Sequence, residues 1–230
     1  MIIGIDASRA GLADKTGTEN YSSELIQSIL ALPEAKTHIW RLYNRQNIPW
    51  PRFWTQGGLA LELLKHPPDV LFIPAHTLPI IRRSKIKTVV SIHGLEYEYL
   101  PEFYKFPQKL YLNKSTEYAV KHADRLIAVS SWTKTQLVNR LGADPEKITV
   151  IHEGVRQRIL KAKLSNFKSD YARQIRHKYS LPQNYILFVG TIQPRKNLVR
   201  LIEAFSMISP SRWGELSPRR CELHLVLAGK

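Results

Sequence analysis

One histidine near the middle of the chain stands where a catalytic or ligand-binding side chain could act. His93 follows the apolar run of residues 89–92 and precedes Gly94, so we predict that it lies at the end of a strand, with its ring in the mouth of a cleft. An imidazole at such a place can form hydrogen bonds or handle a proton near neutral pH. The alternative interpretation is a structural histidine.

Two basic residues near the C-terminus form a second candidate site. Arg195 and Lys196 lie between a predicted strand, which ends near Gly190, and the helix that follows Asn197. Two cations there could neutralise the developing charge of a leaving diphosphate. Basic residues at a helix start are common, but the combination with Gly190 and Asn197 favours a binding role.

The loop after the first predicted strand could bind an anion. Gly11, Gly17 and Thr18 precede a helix that we predict to begin near Asn20, and the free backbone amides of a helix start attract phosphate groups. The glycine spacing is neither G-x-G-x-x-G nor that of a P-loop, so dinucleotide and P-loop binding are not supported. A plain turn is the alternative.

A segment rich in aromatic and acidic residues follows His93. Rings in it could stack on sugars or enter a membrane interface, and its carboxylates could accept hydrogen bonds from hydroxyl groups. The alternative is an ordinary helix-packing face. The acceptor-side candidates in this segment are Tyr97, Glu98 and Glu102.

Short β-branched runs alternate with helical stretches, which predicts an α/β fold with a doubly wound parallel sheet. The predicted strands are 2–6, 38–43, 70–74, 88–93, 125–130, 148–152, 185–190 and 223–228. The predicted helices are 20–32, 108–121, 132–141 and 198–207. Ligands of such sheets bind beyond the carboxyl ends of the strands, so the loops there should share a cleft.

Three regions follow from this order. Residues 1–155 are predicted to form a complete Rossmann-like domain, 156–180 a basic hinge or linker helix, and 181–230 the beginning of a second Rossmann-like domain. Two strands and one helix cannot close an ordinary core. The second domain is therefore predicted to be incomplete.

The formal charge of +15 predicts attraction to anionic surfaces or polyanions. Basic residues cluster at 82–87 and at 156–178, where a solvated helix is the alternative interpretation. No aromatic-basic RNA motif or recognition helix is visible, so nucleic-acid binding is not expected. The segment around His152 is not H-E-x-x-H, and no metal site is predicted.

The N-terminus lacks the features of a signal peptide and no apolar run reaches the length of a membrane span, which predicts a cytoplasmic protein. Peripheral contact with the inner face of a membrane is compatible with the charge. The single cysteine, Cys221, has no partner for a disulfide or a metal and is expected to pack as a small apolar residue.

Taken in order, the motifs resemble those of the retaining, GT-B-fold glycosyltransferases often called group 1. The matching segments are GTENY at 17–21, VVSIHG at 89–94 with LPE at 100–102, ADRLIAVSS at 123–131, KITVIHEGV at 147–155 and FVGTIQPRKN at 188–197. The resemblance implies transfer of a hexose, such as mannose or glucose, from a nucleotide diphosphate sugar to a saccharide or lipid-linked acceptor. It implies no required metal or other cofactor.

The resemblance also implies roles for individual residues. Gly17, Arg195 and Lys196 would contact the donor diphosphate, and His93 would orient the donor sugar, while the acceptor would enter through the N-terminal domain. The other implied donor-binding positions are Thr18, Gly190, Thr191 and Asn197.

This sequence departs from the family pattern at several positions. Thr191 stands where many members have arginine, Gln193 replaces a glutamate, and Glu153 and Arg156 replace an asparagine and an aspartate. The E-x7-E element of the family is expected beyond Lys230, and neither Glu215 nor Glu222 has the spacing to replace it. The chain alone is thus expected to be weakly active or inactive; the alternative is a non-catalytic fragment that binds an anionic surface or a partner.

Overall fold

The computed structural model describes residues 1–12, 15, 17–45, 53–155, 170–208 and 223–229. The chain divides into two compact units, Met1–Gly154 and Val155–Lys230. Each unit has its own parallel sheet.

The first unit is built on six parallel strands. In space they run in the order β2, β1, β3, β4, β5, β6. The strands are β1 (Ile2–Asp6), β2 (Ile39–Tyr43), β3 (Val70–Ile73), β4 (Lys87–Ile92), β5 (Arg125–Ala128) and β6 (Ile148–Val150).

Helices lie between these strands along the chain, except between β3 and β4, which a loop connects. The helices are α1 (Gly17–Leu30), α2 (Ala60–Lys65), α3 (Glu96–Tyr99), α4 (Gln108–His122) and α5 (Ser131–Leu141). A π-helical turn, Thr55–Leu59, leads into α2, and short 3₁₀ turns lie at Pro33–Thr37, Pro101–Phe103 and Pro145–Lys147. Ser130 caps α5 because its side chain accepts a hydrogen bond from the Thr133 amide, and Gly142 ends the helix in the left-handed conformation.

Apolar side chains form two separate clusters in the first unit. The smaller one joins Ile26 of α1 to Ile5 and Phe72 of the sheet. The larger one joins β3, β4 and β5 to α2, α4 and α5, with Leu63 and Leu137 among its fully buried members. Burial against helices is the reason that these strands read as nearly continuous apolar runs.

The strand order reverses next to β1. The chain goes from β1 to β2 on one side, and then returns past β1 to β3 on the other. In open α/β sheets the connections diverge at such a reversal and leave a crevice beyond the carboxyl ends of the two strands. The residues after β1 and β3 are therefore the first place to look for a ligand site.

The second unit contains helix α6 (Asp170–Lys178), strand β7 (Asn184–Val189), a 3₁₀ turn (Pro194–Lys196), helix α7 (Leu198–Ile208) and strand β8 (Leu223–Ala228). β7 and β8 pair in parallel over six residues. None of the unit's described residues is fully buried.

The strands agree with the prediction to within one or two residues. The helix predicted to begin near Asn20 begins three residues earlier, at Gly17. The turn and helix over 55–65 were not predicted, because Gly57 and Gly58 have low helix propensity; burial of Leu59 and Leu63 stabilises that segment instead. Much of the predicted linker, residues 156–169, lies outside the described residues.

A substitution at Gly4, in β1, tests the packing of the sheet. A Cβ added at Gly4 would lie 2.7 Å from Tyr43 Cε2 and 2.9 Å from Pro68 Cγ. Because overpacking strains a buried site, we expect Gly4→Ala to lower the free energy of unfolding by about 1–3 kcal/mol. Gly17→Ala, where a Cβ meets no atom within 4 Å, is the control and should change it by less than about 0.5 kcal/mol. Equal stability of both variants in urea titrations would contradict the packing seen at Gly4.

Candidate functional site

His93 directly follows β4, at the carboxyl edge of the sheet. Its Nε2 donates a hydrogen bond to the carbonyl oxygen of Pro74 at 2.8 Å, and its Nδ1 lies 3.0 Å from Glu153 Oε1. The side chain is 14% exposed, whereas that of Glu153 is 51% exposed. The ring therefore does not project freely into a cleft mouth, as its position in the sequence predicted, but is held by the loops after β3 and β6.

A second histidine, which the sequence analysis missed, packs against His93. The two rings stack with centroids 5.5 Å apart, and His76 Nε2 accepts a hydrogen bond from the His93 amide at 3.2 Å. Tyr21 of α1 meets the other side of the cluster, edge-on to His93 at 4.6 Å. His76 is the third residue after the end of β3, in one of the strand-end loops where ligand-binding residues were expected, so the same rule could have found it.

The surroundings of His76 hold its ring neutral. Burial is the main cause, and the positive charge that His93 and Arg9 can carry adds to it; together they lower the pKa of His76 to about 3. A neutral ring whose Nε2 accepts a hydrogen bond carries its proton on Nδ1, which is buried and has no hydrogen-bond partner among the described residues. His76 thus provides a rigid, uncharged support for His93.

These contacts limit how His93 could reach a ligand. His93 Nε2 donates its proton to a backbone carbonyl, that of Pro74, which can only accept a hydrogen bond. Because this partner belongs to the main chain, the bond is part of the fold. The bond through Nδ1 goes to a half-exposed carboxylate that can move aside. A ligand oxygen could therefore replace Glu153 as the hydrogen-bond partner of His93 Nδ1 without disturbing the sheet.

The first turn of α1 contains the predicted anion-binding residues. Gly17 and Thr18 open the helix, and Gly17 is exposed. Glu19, in the same turn, forms an ion pair with Arg9 at 3.0 Å. This pair fixes the loop after β1 against the start of α1.

The segment that contains the predicted acceptor-side residues is less accessible than the sequence analysis predicted. Tyr97 is only 3% exposed and packs edge-on against Tyr104, so its ring cannot stack on a sugar; the alternative of a helix-packing face is correct here. Burial raises the pKa of its hydroxyl to about 12. Glu98 is partly exposed and Glu102 exposed, in α3 and the turn that follows it.

A cavity of about 390 Å³ opens at the strand reversal. Asp6, the last residue of β1, lies in its wall and is 8% exposed. The carboxylate oxygen Oδ1 accepts hydrogen bonds from Trp54 Nε1 and from the Ser8 amide, both at 3.0 Å. Burial raises the pKa of Asp6, although these hydrogen bonds and Arg9 act in the opposite direction.

Arg195 and Lys196 form the 3₁₀ turn after β7. Arg195 Nε donates to Gln193 Oε1 at 3.0 Å, and Lys196 is exposed. Asn197 ends the turn with a left-handed backbone, a conformation that asparagine tolerates better than most residues. The tip of this turn presents two cations.

The backbone is crowded beside that turn. The Gly190 amide donates to the Ala228 carbonyl at 2.9 Å, and a Cβ at Gly229 would collide with the Gly190 carbonyl oxygen. Thr191, which follows Gly190, is exposed. Glycine at 229 is therefore required by the approach of the two strand ends.

Some sequence predictions fall outside the described residues: the part of the basic cluster within 156–169, Cys221, Glu215 and Glu222. Within the described part of the chain, no three His, Cys, Asp or Glu side chains converge as metal ligands. No helix in that part is both long and apolar enough to cross a membrane.

Comparison with known proteins gives one family match. The sequence model of Glycosyltransferase Family 4 matches residues 22–157, more than half of the chain. The matched region contains His76, His93 and Glu153 and all but the first strand of the six-stranded sheet.

Curated relatives with sequence similarity are glycosyltransferases. The serotype-specific mannosyltransferase WbdA of Escherichia coli is 28% identical over 143 residues, which are 59% of this chain and 16% of WbdA. The O-antigen chain mannosyltransferase RfbU of Salmonella typhimurium is 29% identical over 128 residues, 56% of this chain and 30% of RfbU. A D-inositol 3-phosphate glycosyltransferase of Streptomyces scabiei is 35% identical over 96 residues, 40% of this chain and 20% of that enzyme. The matches thus span less than a third of each relative.

Two solved structures share the fold. WaaG, a glycosyltransferase involved in lipopolysaccharide biosynthesis, aligns with a TM-score of 0.61 and 14% identity over 99% of this chain and 70% of WaaG. A glycosyltransferase from Rickettsia africae aligns with a TM-score of 0.50 and 15% identity over 100% of this chain and 68% of that one. The fold is the α/β, Rossmann-like fold of GT-B glycosyltransferases, as the sequence predicted.

The neutral state of His76 predicts a pH dependence of stability. Its folded pKa of about 3 lies below the ordinary value of 6.5, so between these values the unfolded chain binds a proton that the folded chain does not. The free energy of unfolding should therefore fall as the pH falls from 6.5, by at most about 1.4 kcal/mol per pH unit from this group.

Urea unfolding at pH 6.5, 5.5 and 4.5 measures this effect. His76→Gln keeps an acceptor for the His93 amide and should flatten the slope, while a variant of the exposed His66, His66→Gln, controls for the loss of one histidine. Identical slopes in the wild type and His76→Gln would mean that His76 does not resist protonation.

Proposed function

The chain belongs to Glycosyltransferase Family 4, and on this basis we propose that its protein transfers a hexose, of the mannose or glucose type, from a nucleotide diphosphate sugar to a saccharide or lipid-linked acceptor. The observation that carries the proposal is the family match, which covers most of the six-stranded sheet. At the carboxyl edge of that sheet lies His93, whose partner Glu153 a ligand could replace. The mannosyltransferase names of two relatives favour mannose as the sugar. Retention of the anomeric configuration is part of the proposal.

Contacts to the donor are proposed on both units. Arg195 and Lys196 present positive charge at the end of β7 and would bind the diphosphate, beside Gly190, Thr191 and Asn197. The backbone amides of Gly17 and Thr18, where α1 begins, would donate hydrogen bonds to a phosphate oxygen.

His93 is proposed to orient the donor sugar. A sugar hydroxyl that replaces Glu153 at Nδ1 would bind a ring that is already fixed by Pro74 and His76, so little side-chain freedom is lost on binding. Because arginine and lysine can stabilise the leaving diphosphate, we propose that transfer requires no metal ion.

A donor screen tests the proposal. Radiolabelled nucleotide sugars are offered to the purified full-length protein with and without EDTA, and transfer or hydrolysis of at least one donor is expected, at the same rate in both conditions. Lys196→Ala should lower kcat/KM by about 30- to 1,000-fold, the loss of one contact to the developing charge. Lys178→Ala, another lysine of the second unit, is the control. If no donor is turned over, the proposed function is wrong. If Lys196→Ala leaves kcat/KM unchanged, Lys196 takes no part in the mechanism.

We also propose that the protein binds an anionic membrane surface through the loop between β3 and β4. Ile80 and Ile81 are 60% and 59% exposed and adjoin Arg83 and Lys85. Arg83 Nε donates a hydrogen bond to the Leu64 carbonyl at 2.9 Å, which ties the loop to α2. Adjacent exposed apolar and basic residues are suited to a membrane interface, and each cation near an anionic surface contributes about 1 kcal/mol.

Vesicle co-sedimentation tests this surface. Binding to phosphatidylglycerol vesicles should exceed binding to phosphatidylcholine vesicles and should decline at high salt. The double variant Ile80→Ser/Ile81→Ser should bind about tenfold more weakly, because less apolar area is buried. Ile39→Ser, equally exposed on β2, should bind like the wild type. Vesicle binding that does not depend on salt, or an equal loss of binding in Ile39→Ser and in the double variant, would disprove the membrane surface. Vesicle binding without any sugar transfer would favour the non-catalytic alternative.

A further inference from the structure

We propose that the cavity at the strand reversal binds the terminal sugar of the acceptor, with a sugar hydroxyl on Asp6 and an anionic substituent of that sugar on Arg45. This inference rests on the proposed function and adds to it the chemical class of the acceptor. It places acceptor recognition at the ends of β1 and β3 instead of around Tyr97.

The cavity wall contains a buried carboxylate that can accept further hydrogen bonds. Asp6 is 8% exposed, and its two bonds from fixed donors, Trp54 Nε1 and the Ser8 amide, both reach Oδ1. Oδ2 therefore remains available to the rotatable hydroxyl of Ser8 and to a ligand. A carboxylate in a poorly solvated site gains most from a partner that donates hydrogen bonds, as a sugar hydroxyl does.

The carboxylate is held in place by a rigid local structure. Trp54 is 3% exposed and begins the π-helical turn, a type of turn that is often found at functional sites. The residue before it, Phe53, has a left-handed backbone with φ of 53°, a strained conformation for a bulky side chain. The hydrogen bonds from the Trp54 indole and the Ser8 amide fix the orientation of the carboxylate that a ligand would meet.

The cavity also contains a cation for which the described residues supply no counterion. Arg9 lines the cavity but is paired with Glu19 at 3.0 Å. Arg45, which follows β2, forms no ion pair or hydrogen bond with any residue in the described ranges. A free guanidinium at the opening suits a phosphate or a carboxylate, which it can bind with two parallel hydrogen bonds.

Size and surface chemistry fit one sugar residue. A cavity of about 390 Å³ lies within the range of small-ligand sites. Phe53 and Tyr111 line it and are 75% and 44% exposed, so both offer aromatic surface to the C–H face of a sugar ring. The cavity therefore combines aromatic faces with the Asp6 carboxylate and the Arg45 guanidinium.

The cavity and the histidine cluster share the loop after β3. Ala75 and Thr77 line the cavity, and His76, which lies between them, supports His93. A sugar on Asp6 would thus lie beside the residue that we propose to orient the donor. This adjacency is what an acceptor site requires.

Binding titrations with the 230-residue chain test the proposal without any transfer step. The probes are methyl α-mannoside, mannose 6-phosphate and glucuronic acid, followed by ligand-observed NMR. We expect the better of the two anionic probes to bind about tenfold more tightly than the neutral one, and the choice between them identifies phosphate or carboxylate as the substituent. Arg45→Gln should remove this advantage, whereas Arg125→Gln, on β5 and outside the cavity lining, should keep it.

Asp6→Asn should weaken the binding of all three probes by about 10- to 100-fold, because a hydrogen-bond acceptor becomes a donor. If that variant does not fold, Thr77→Phe decides the question, since it fills the cavity and leaves Asp6 and Trp54 in place; it should abolish binding. Equal affinities for neutral and anionic probes, or unchanged binding in Thr77→Phe, would overturn the proposal. Donor turnover is measured separately, so failure here is distinguishable from failure of the glycosyltransferase function.

Discussion

The reversal of strand order at β1 is the constraint on which the other features of the first unit depend. Because the chain passes from β1 to β2 on one side and to β3 on the other, the connections separate above the ends of β1 and β3. Asp6, His76 and the Trp54 turn are consequently brought together at the edge of a buried sheet.

Burial then determines the chemistry of each polar group at that edge. His76 stays neutral because its site is desolvated and lies close to groups that can carry positive charge, while burial raises the pKa of Asp6. His93 is held between a carbonyl that cannot leave and a half-exposed carboxylate that can. The same sheet edge therefore contains both fixed and exchangeable hydrogen bonds, and the exchangeable ones are those that a ligand can use.

The departures from the family pattern acquire a physical meaning in this arrangement. Glu153, which stands where the family pattern has asparagine, lies against His93 and gives it a charged partner. The charge of Glu153 would have to separate from His93 when a ligand binds there. In the second unit, Thr191 is exposed beside a turn that already presents Arg195 and Lys196, so positive charge is still available at the end of β7.

The sequence by itself determined the order and type of most elements, the α/β class and the family, because burial on both faces of a parallel sheet imposes apolar runs that are local and easily read. It also placed His93 at a strand end. Only the tertiary structure decided which side chains are accessible: Tyr97 is buried against Tyr104, whereas Asp6 and Arg45 line a cavity. The helix over 55–65 likewise depends on contacts of Leu59 and Leu63 with distant residues, which no local pattern encodes. The exposure of a side chain and its hydrogen-bond partners depend on residues far apart in the chain. For that reason these features could not be predicted from the spacing of residues alone.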